Sequence, residues 1–159
     1  MMSNFTLDHF QSLLQTVTDV IKDNALNQSL EDKLNRLFPA DGEHFEAIRN
    51  CCIAGIESGD LCKYEAGGIK YGRVIKPNAG LQGYSVDVVD MESVAGPHHT
   101  HPKGEIDLIM PIDAQAQFDN RSAGWLVYGP GSAHSPTVTQ GKALVLYLLP
   151  QGEIEFTRQ

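Results

Sequence analysis

Gly96-Pro97-His98-His99-Thr100-His101-Pro102-Lys103-Gly104-Glu105, followed at once by the apolar run Ile106-Asp107-Leu108-Ile109-Met110, is the stretch that decides how this chain is read. It contains His-x-His-x-x-x-Glu. Side chains on an extended strand repeat every second residue, so His99 and His101 share a face, and a tight turn over 102–104 can bring Glu105 back beside them. His98 alternates to the other face, where it is a solvated or supporting residue rather than a ligand. Further on, Gly124-Trp125-Leu126-Val127-Tyr128-Gly129-Pro130-Gly131-Ser132-Ala133-His134 gives a strand, a Pro-Gly turn and another imidazole, placed as a neighbouring strand would supply it. A set of surface histidines on a turn is the alternative account of the same residues.

Outward from this stretch, the chain from residue 61 is rich in glycine and proline, and its apolar residues fall into short runs at 84–89, 106–112, 125–128 and 143–149. Turn signals at 77–80, 96–97, 119–120, 129–131 and 140–141 separate them at spacings expected of an antiparallel sandwich or barrel, not of βαβ units. The first sixty residues have a different texture. Phe5, Leu7, Phe10, Leu13, Leu14, Val17, Val20 and Ile21 recur at three- and four-residue steps, which predicts an amphipathic helix. A second helix is expected over 29–38, capped by Ser29 and stopped by Pro39. A third, over 43–58, is expected to bury Phe45, Ile48, Ile53 and Ile56 until Gly59 ends it. The expected organisation is a helical segment, 1–60, packed on a β-barrel, 61–159, that forms a single structural unit. No chemistry is visible in the helices.

The 159 residues, 42% hydrophobic and 20% charged, suit one globular domain with a real core. Twenty Asp and Glu against 12 Lys and Arg give a net charge of −8, which repels a polyanion and excludes nucleic acid as a partner. The longest apolar runs are far too short to span a bilayer, and the N-terminus lacks the basic start and apolar run of a signal peptide, so a cytoplasmic protein without a membrane partner is expected. Cys51, Cys52 and Cys62 are odd in number, and two are adjacent; this suits reduced, mostly buried thiols rather than a disulfide framework or a CxxC zinc site.

The stretches 96–110 and 124–134 resemble the cupin motifs G(X)5HXH(X)3,4E(X)6G and G(X)5PXG(X)2H(X)3N. Gly96 lies closer to the first histidine than the motif asks, Asp113 stands near the closing glycine, Gly131 follows Pro130 directly, and Val138 replaces the terminal asparagine. These departures touch turns rather than the motif's ligands. The resemblance implies a mainly β fold, a cupin-type double-stranded β-helix (jelly-roll) barrel carrying the N-terminal helical segment, and metal-ligand roles for His99, His101, Glu105 and His134. One divalent ion per chain is expected; zinc, iron, manganese, nickel and cobalt all suit imidazoles with one carboxylate, because geometry and supply override the affinity order.

Around that centre, Asp107 shares the inward face of Glu105 if the strand is regular, as does Ile109. Asp107 either moves protons or orients a ligand, which makes it and Glu105 the candidate catalytic residues, or it pairs with Arg73 or Lys76. Arg73 and Lys76 are also candidates to bind a substrate carboxylate, Arg73 first because its fork matches that geometry; solvated surface charge is the alternative for each. Trp125, Tyr128 and Tyr147 either wall an aromatic pocket or pack in the core.

Beyond the motifs, the whole chain resembles the 4-hydroxylaminobenzoate lyase family. The likeness runs through the helical N-terminus, 65–69 to 76–77, 84–91, 96–111, 124–134 and 144–150. It implies conversion of a small aromatic carboxylate, 4-hydroxylaminobenzoate, to 3,4-dihydroxybenzoate with release of ammonia, as part of nitroaromatic breakdown. A cupin dioxygenase and a non-catalytic cupin that binds a small acid are the rivals. A homodimer is expected by analogy with barrels that pair through sheet edges.

Overall fold

The computed structural model describes residues 5–157. Three helices come first: α1 (Leu7–Ile21), α2 (Gln28–Leu37) and α3 (Glu43–Ser58). Thr6 caps α1 by accepting from the His9 backbone N–H at 3.3 Å, and Phe10, Leu14, Val17 and Ile21 form its buried stripe. α2 starts one residue earlier than expected. Its cap is Asn27, whose side chain accepts from the Leu30 N–H at 3.0 Å, and Ser29 lies inside the first turn. α3 ends at Gly59, in the left-handed region at φ 84°. It buries Phe45, Ile48, Cys51 and Cys52, while Ile53 and Ile56 are only half-buried. All three thiols are free; burial pushes Cys62 up to about 12, so it stays protonated and unreactive.

Ten strands follow: β1 (Tyr64–Ala66), β2 (Ile69–Ile75), β3 (Tyr84–Ala95), β4 (His99–His101), β5 (Glu105–Pro111), β6 (Gln117–Phe118), β7 (Gly124–Tyr128), β8 (Ser132–His134), β9 (Thr137–Pro150) and β10 (Glu155–Phe156). They form a seven-stranded sheet in the order β1-β2-β3-β9-β5-β7, with β6 added on β9, and a three-stranded sheet in the order β10-β4-β8. Every pairing is antiparallel. This is the mainly β, cupin-type jelly roll that the sequence implies. The Gln140-Gly141 turn signal marks a bulge inside β9, not a strand end. Gln140 and Gly141 take φ values of 62° and 126°, Ser93 opposite takes 42°, and the β3–β9 register shifts there. A side chain at Gly141 would put a Cβ 2.5 Å from the Asp113 carboxylate.

Strand alternation divides the large sheet into two chemically distinct faces. Val86 and Val88 of β3, Ile106, Leu108 and Met110 of β5, Trp125 of β7, and Leu144, Leu146 and Leu148 of β9 join the helices' stripes in one apolar cluster. Val89, Met91, Ile109, Leu126, Val145 and Tyr147 point the other way, into the barrel. On that inner face the register aligns Arg73, Asp87, Tyr147, Asp107 and Leu126 in a single row across five strands.

α2 also closes one edge of this sheet. Asn35 accepts from the Trp125 N–H at 2.8 Å and donates to the Trp125 carbonyl at 3.0 Å, and Glu31 accepts from the Val127 N–H at 2.9 Å. Side chains of a helix thus take the hydrogen bonds that a further strand would make with β7. No helix among the described residues is long and apolar enough to cross a membrane.

Candidate metal centre

The two-residue period of β4 turns His99 and His101 inward and leaves His98 outside, where its Nδ1 meets the Thr157 hydroxyl and its carbonyl accepts from the Thr157 N–H at 3.0 Å. Gly104 makes the turn back to Glu105 possible. Its φ is 92°, and a Cβ there would lie 2.7 Å from the Tyr128 carbonyl oxygen. β8 pairs with β4 so that His134 stands directly opposite His99. One ligand atom from each of His99, His101, Glu105 and His134 lies within 4.8 Å of all the others. His101 Nε2 is 3.3 Å and His134 Nε2 3.6 Å from Glu105 Oε2, and His99 Nε2 is 3.7 Å from Glu105 Oε1.

The partners of the other ring nitrogens fix which atoms face the centre. His99 Nδ1 donates to the Pro97 carbonyl at 3.2 Å, an oxygen that can only accept. His101 Nδ1 lies 3.0 Å from the Ser132 hydroxyl, whose own hydrogen goes to the Gly129 carbonyl at 2.6 Å, so the imidazole is the donor. His134 Nδ1 donates to Asp119 Oδ2 at 2.5 Å. The three Nε2 atoms therefore converge. The Nε2 atoms of His99 and His134 face each other at 3.1 Å, and His101 Nε2 and both Glu105 oxygens are buried without a hydrogen-bond partner. Nitrogens and carboxylate oxygens gather this closely only around a positive charge, which the His134 proton supplies in the metal-free protein and a cation supplies when one displaces it. With metal–nitrogen bonds of about 2.1 Å, adjacent ligand atoms sit roughly 3 Å apart, so this donor set fits a divalent cation.

The titrating groups are strongly perturbed. Burial pushes Glu105 upward, but the imidazoles of His101, His134 and His99 outweigh it and hold its carboxyl well below the usual range. Burial would lower His134, yet the Asp119 and Glu105 carboxylates push it up to about 9. Asp107 goes the other way: burial and then the Glu105 charge beside it hold its carboxyl well above the usual range, so it keeps its proton. It is fully buried, and neither of its oxygens has a hydrogen-bond partner. It pairs with neither Arg73 nor Lys76.

A cavity of about 470 Å³ opens beside this cluster, mostly apolar, with His99 as the ligand-type residue on its wall. Arg73 and Tyr147 line it. Arg73 arrives already paired, its Nε donating to Asp87 Oδ1 at 2.9 Å and its Nη2 to Asp87 Oδ2 at 3.3 Å and the Gly152 carbonyl at 3.1 Å. Asp107 and Glu105 are fully buried and are not part of its lining. Lys76 follows the β2 bulge and points to solvent, away from the cavity. Trp125 is a correction to the expected aromatic wall: it belongs to the helix-covered face, 2% exposed, with its indole N–H on the Phe38 carbonyl at 3.0 Å. One-residue parity on β7 puts it on the wrong side of the sheet. Tyr128 packs on His134 and His101, with ring centroids 4.6 and 5.4 Å apart, and does not line the cavity. The cavity's other aromatic walls are Tyr71 and Phe156, the latter edge-on to His99 at 5.7 Å. Sequence reasoning missed these two and Asp87. It also missed Asp119, whose only trace was a turn signal.

Residues 12–156 match the model of the PnbB, 4-hydroxylaminobenzoate lyase, family. This chain belongs to that family. It is 30% identical over 156 residues to a 4-hydroxylaminobenzoate lyase of Pseudomonas putida, covering 87% of this chain and 89% of the relative. A second lyase of the same name, from Nocardioides sp. (strain LMS-CY), is 28% identical over 145 residues, covering 86% of each. Among solved structures this chain is similar to an RmlC-like cupin protein from Ralstonia eutropha, at TM-score 0.45 and 10% identity over 59% of this chain and 62% of that one. It is also similar to a Klebsiella pneumoniae protein with a double-stranded β-helix domain, at TM-score 0.45 and 15% identity over 60% and 90%.

Proposed function

We propose that this protein is a metal-dependent lyase that converts 4-hydroxylaminobenzoate and water to 3,4-dihydroxybenzoate and ammonia. The observation that carries this reading is the convergence of three imidazole Nε2 atoms and one carboxylate beside a mostly apolar cavity of about 470 Å³, a size suited to one aromatic ring. Family membership supports the choice of substrate. The change is redox-neutral: the protonated hydroxylamino oxygen leaves as water when the N–O bond breaks, a water adds at the adjacent ring carbon to leave a ring imine, hydrolysis of that imine frees ammonia, and loss of the proton at the hydroxylated carbon restores the aromatic catechol, so one water is consumed in all. When bound, a divalent ion in this set supplies Lewis acidity to an oxygen of substrate or water.

The chain's own residues supply the rest. Tyr71, Tyr147 and Phe156 offer faces and edges to a planar ring and keep bulk water from it. Arg73 has spent Nε and Nη2 on Asp87 and Gly152, which leaves Nη1 as the edge for the ring carboxylate. Asp107 holds a proton next to Glu105, outside the cavity lining. It serves as the proton reserve, and Glu105 is the carboxylate through which that proton moves. Incubation of the metallated protein with 4-hydroxylaminobenzoate tests the reading by the appearance of the catechol and ammonia in equal amounts. No product from a fully metallated sample removes it, and oxygen consumption on the catechol would put a dioxygenase in its place.

A further inference from the structure

Asp119 stands outside the donor set, in the short turn that links β6 to β7, yet it gathers three hydrogen bonds. Its Oδ2 accepts from His134 Nδ1 and from the Tyr128 hydroxyl, each at 2.5 Å, and its Oδ1 accepts from the Thr137 N–H at 2.9 Å. Its backbone is held in the left-handed region at φ 49°, as is Asn120 at 65°. A non-glycine pair in that region costs conformational energy that the surroundings must offset, and here the offset is the set of three donors on one carboxylate. Each contact points at one outcome. The Thr137 N–H and Tyr128 hydroxyl fix the carboxylate, and the carboxylate fixes the imidazole.

We infer that Asp119 is a positioning residue for the metal site, holding the His134 ring by its Nδ1–H so that Nε2 is directed toward His99, His101 and Glu105. The inference rests on the metal reading above and deepens it. Of the three imidazoles, His134 alone has an ionised partner at Nδ1: there His99 leans on a carbonyl and His101 on a hydroxyl. A carboxylate behind a ligating imidazole orients the ring and raises its basicity, and loss of such a partner typically costs about 10–100-fold in metal affinity. His134 is also the ligand brought in by a three-residue strand at the edge of the small sheet, so its backbone is the least supported of the three. Asp119 supplies from the side what β8 lacks along its length.

The test uses Co²⁺ titrated into metal-free protein and followed by visible absorption, for wild type, Asp119→Asn and Asp119→Glu. Asp119→Asn is expected to weaken Co²⁺ binding by about 10–100-fold and to change the visible band, in a metal-free protein that is less stable than wild type but folded at the temperature of the titration. Asp119→Glu, which restores the charge, is expected to recover part of the affinity. Should Asp119→Asn not fold, nitrogen NMR of the zinc-loaded wild type decides: a protonated Nδ1 on His134 with Nε2 toward the ion supports the role, and coordination through Nδ1 overturns it. Wild-type protein that binds no Co²⁺ overturns the metal reading and the role of Asp119 with it. Wild-type binding alongside an equally tight, spectrally unchanged Asp119→Asn overturns the role of Asp119 alone.

Discussion

On β5, Ile106, Leu108 and Met110 face the helices, while Glu105, Asp107 and Ile109, one residue out of step with them, face the barrel. The two faces of one strand are equally dry, since 105–110 are all buried, but they are held by different physics. Toward the helices, burial is apolar throughout and stabilises in proportion to area. Toward the barrel, two carboxyl groups are buried with no hydrogen-bond partner, which costs stability unless a cation or proton occupies the space between them. The contrast teaches that this sheet gains its stability on one side and, on the other, gives some of it up to create a site.

The largest effect expected from that division is on the inner face. His101→Ala should lower Co²⁺ or Zn²⁺ affinity by more than about a hundredfold, beyond what loss of a supporting contact costs, and reduce lyase turnover to background. Retained activity would take the cluster out of the mechanism. Leu108→Ala, two strand positions from Met110 on the other face, should do the reverse: about 2–5 kcal/mol lost in urea unfolding, with metal affinity unchanged.

The pH dependence of the two forms should run in opposite directions. The His134 proton and a metal compete for Nε2, so with His134 at about 9, affinity should rise about tenfold per pH unit and level off near that value, with about one proton released per ion bound in calorimetry. In the metal-free protein the raised His134 contributes stability that is complete below its ordinary value of 6.5 and is lost as pH rises through about 9. Parallel slopes for the two forms would break the comparison. The smallest effect is that of Lys76→Ala, expected to leave KM unchanged and stability within about 0.5 kcal/mol, because the side chain points to solvent.

What could be read from the sequence was what is local. His99, His101 and Glu105 lie within seven residues, so strand periodicity and one turn bring them together, and the helices announce themselves by their stripes and by Gly59. What could not be read depends on register between distant strands. Arg73 meets Asp87 because β2 pairs with β3 in one alignment and not its neighbour, and Trp125 faces the helices because the β5–β7 register sets it opposite Leu108 and not Asp107. Asp119 was legible as a turn former and nothing more. Its contact with His134 depends on where β6 places that turn against β8, and Gln140-Gly141, also read as a turn signal, sits inside a continuous strand.

The grip of Asn35 and Glu31 on the β7 backbone bears on how this molecule can be cut. A fragment starting at residue 61 would keep every residue of the metal cluster. It would also uncover the apolar face of Leu108 and Leu146 and leave β7 as a bare edge, two surfaces that invite neighbouring molecules to stack and pair. Truncation to the barrel is therefore expected to yield insoluble protein rather than a minimal enzyme, and any engineering of this scaffold has to carry α2 along with the strands it shields.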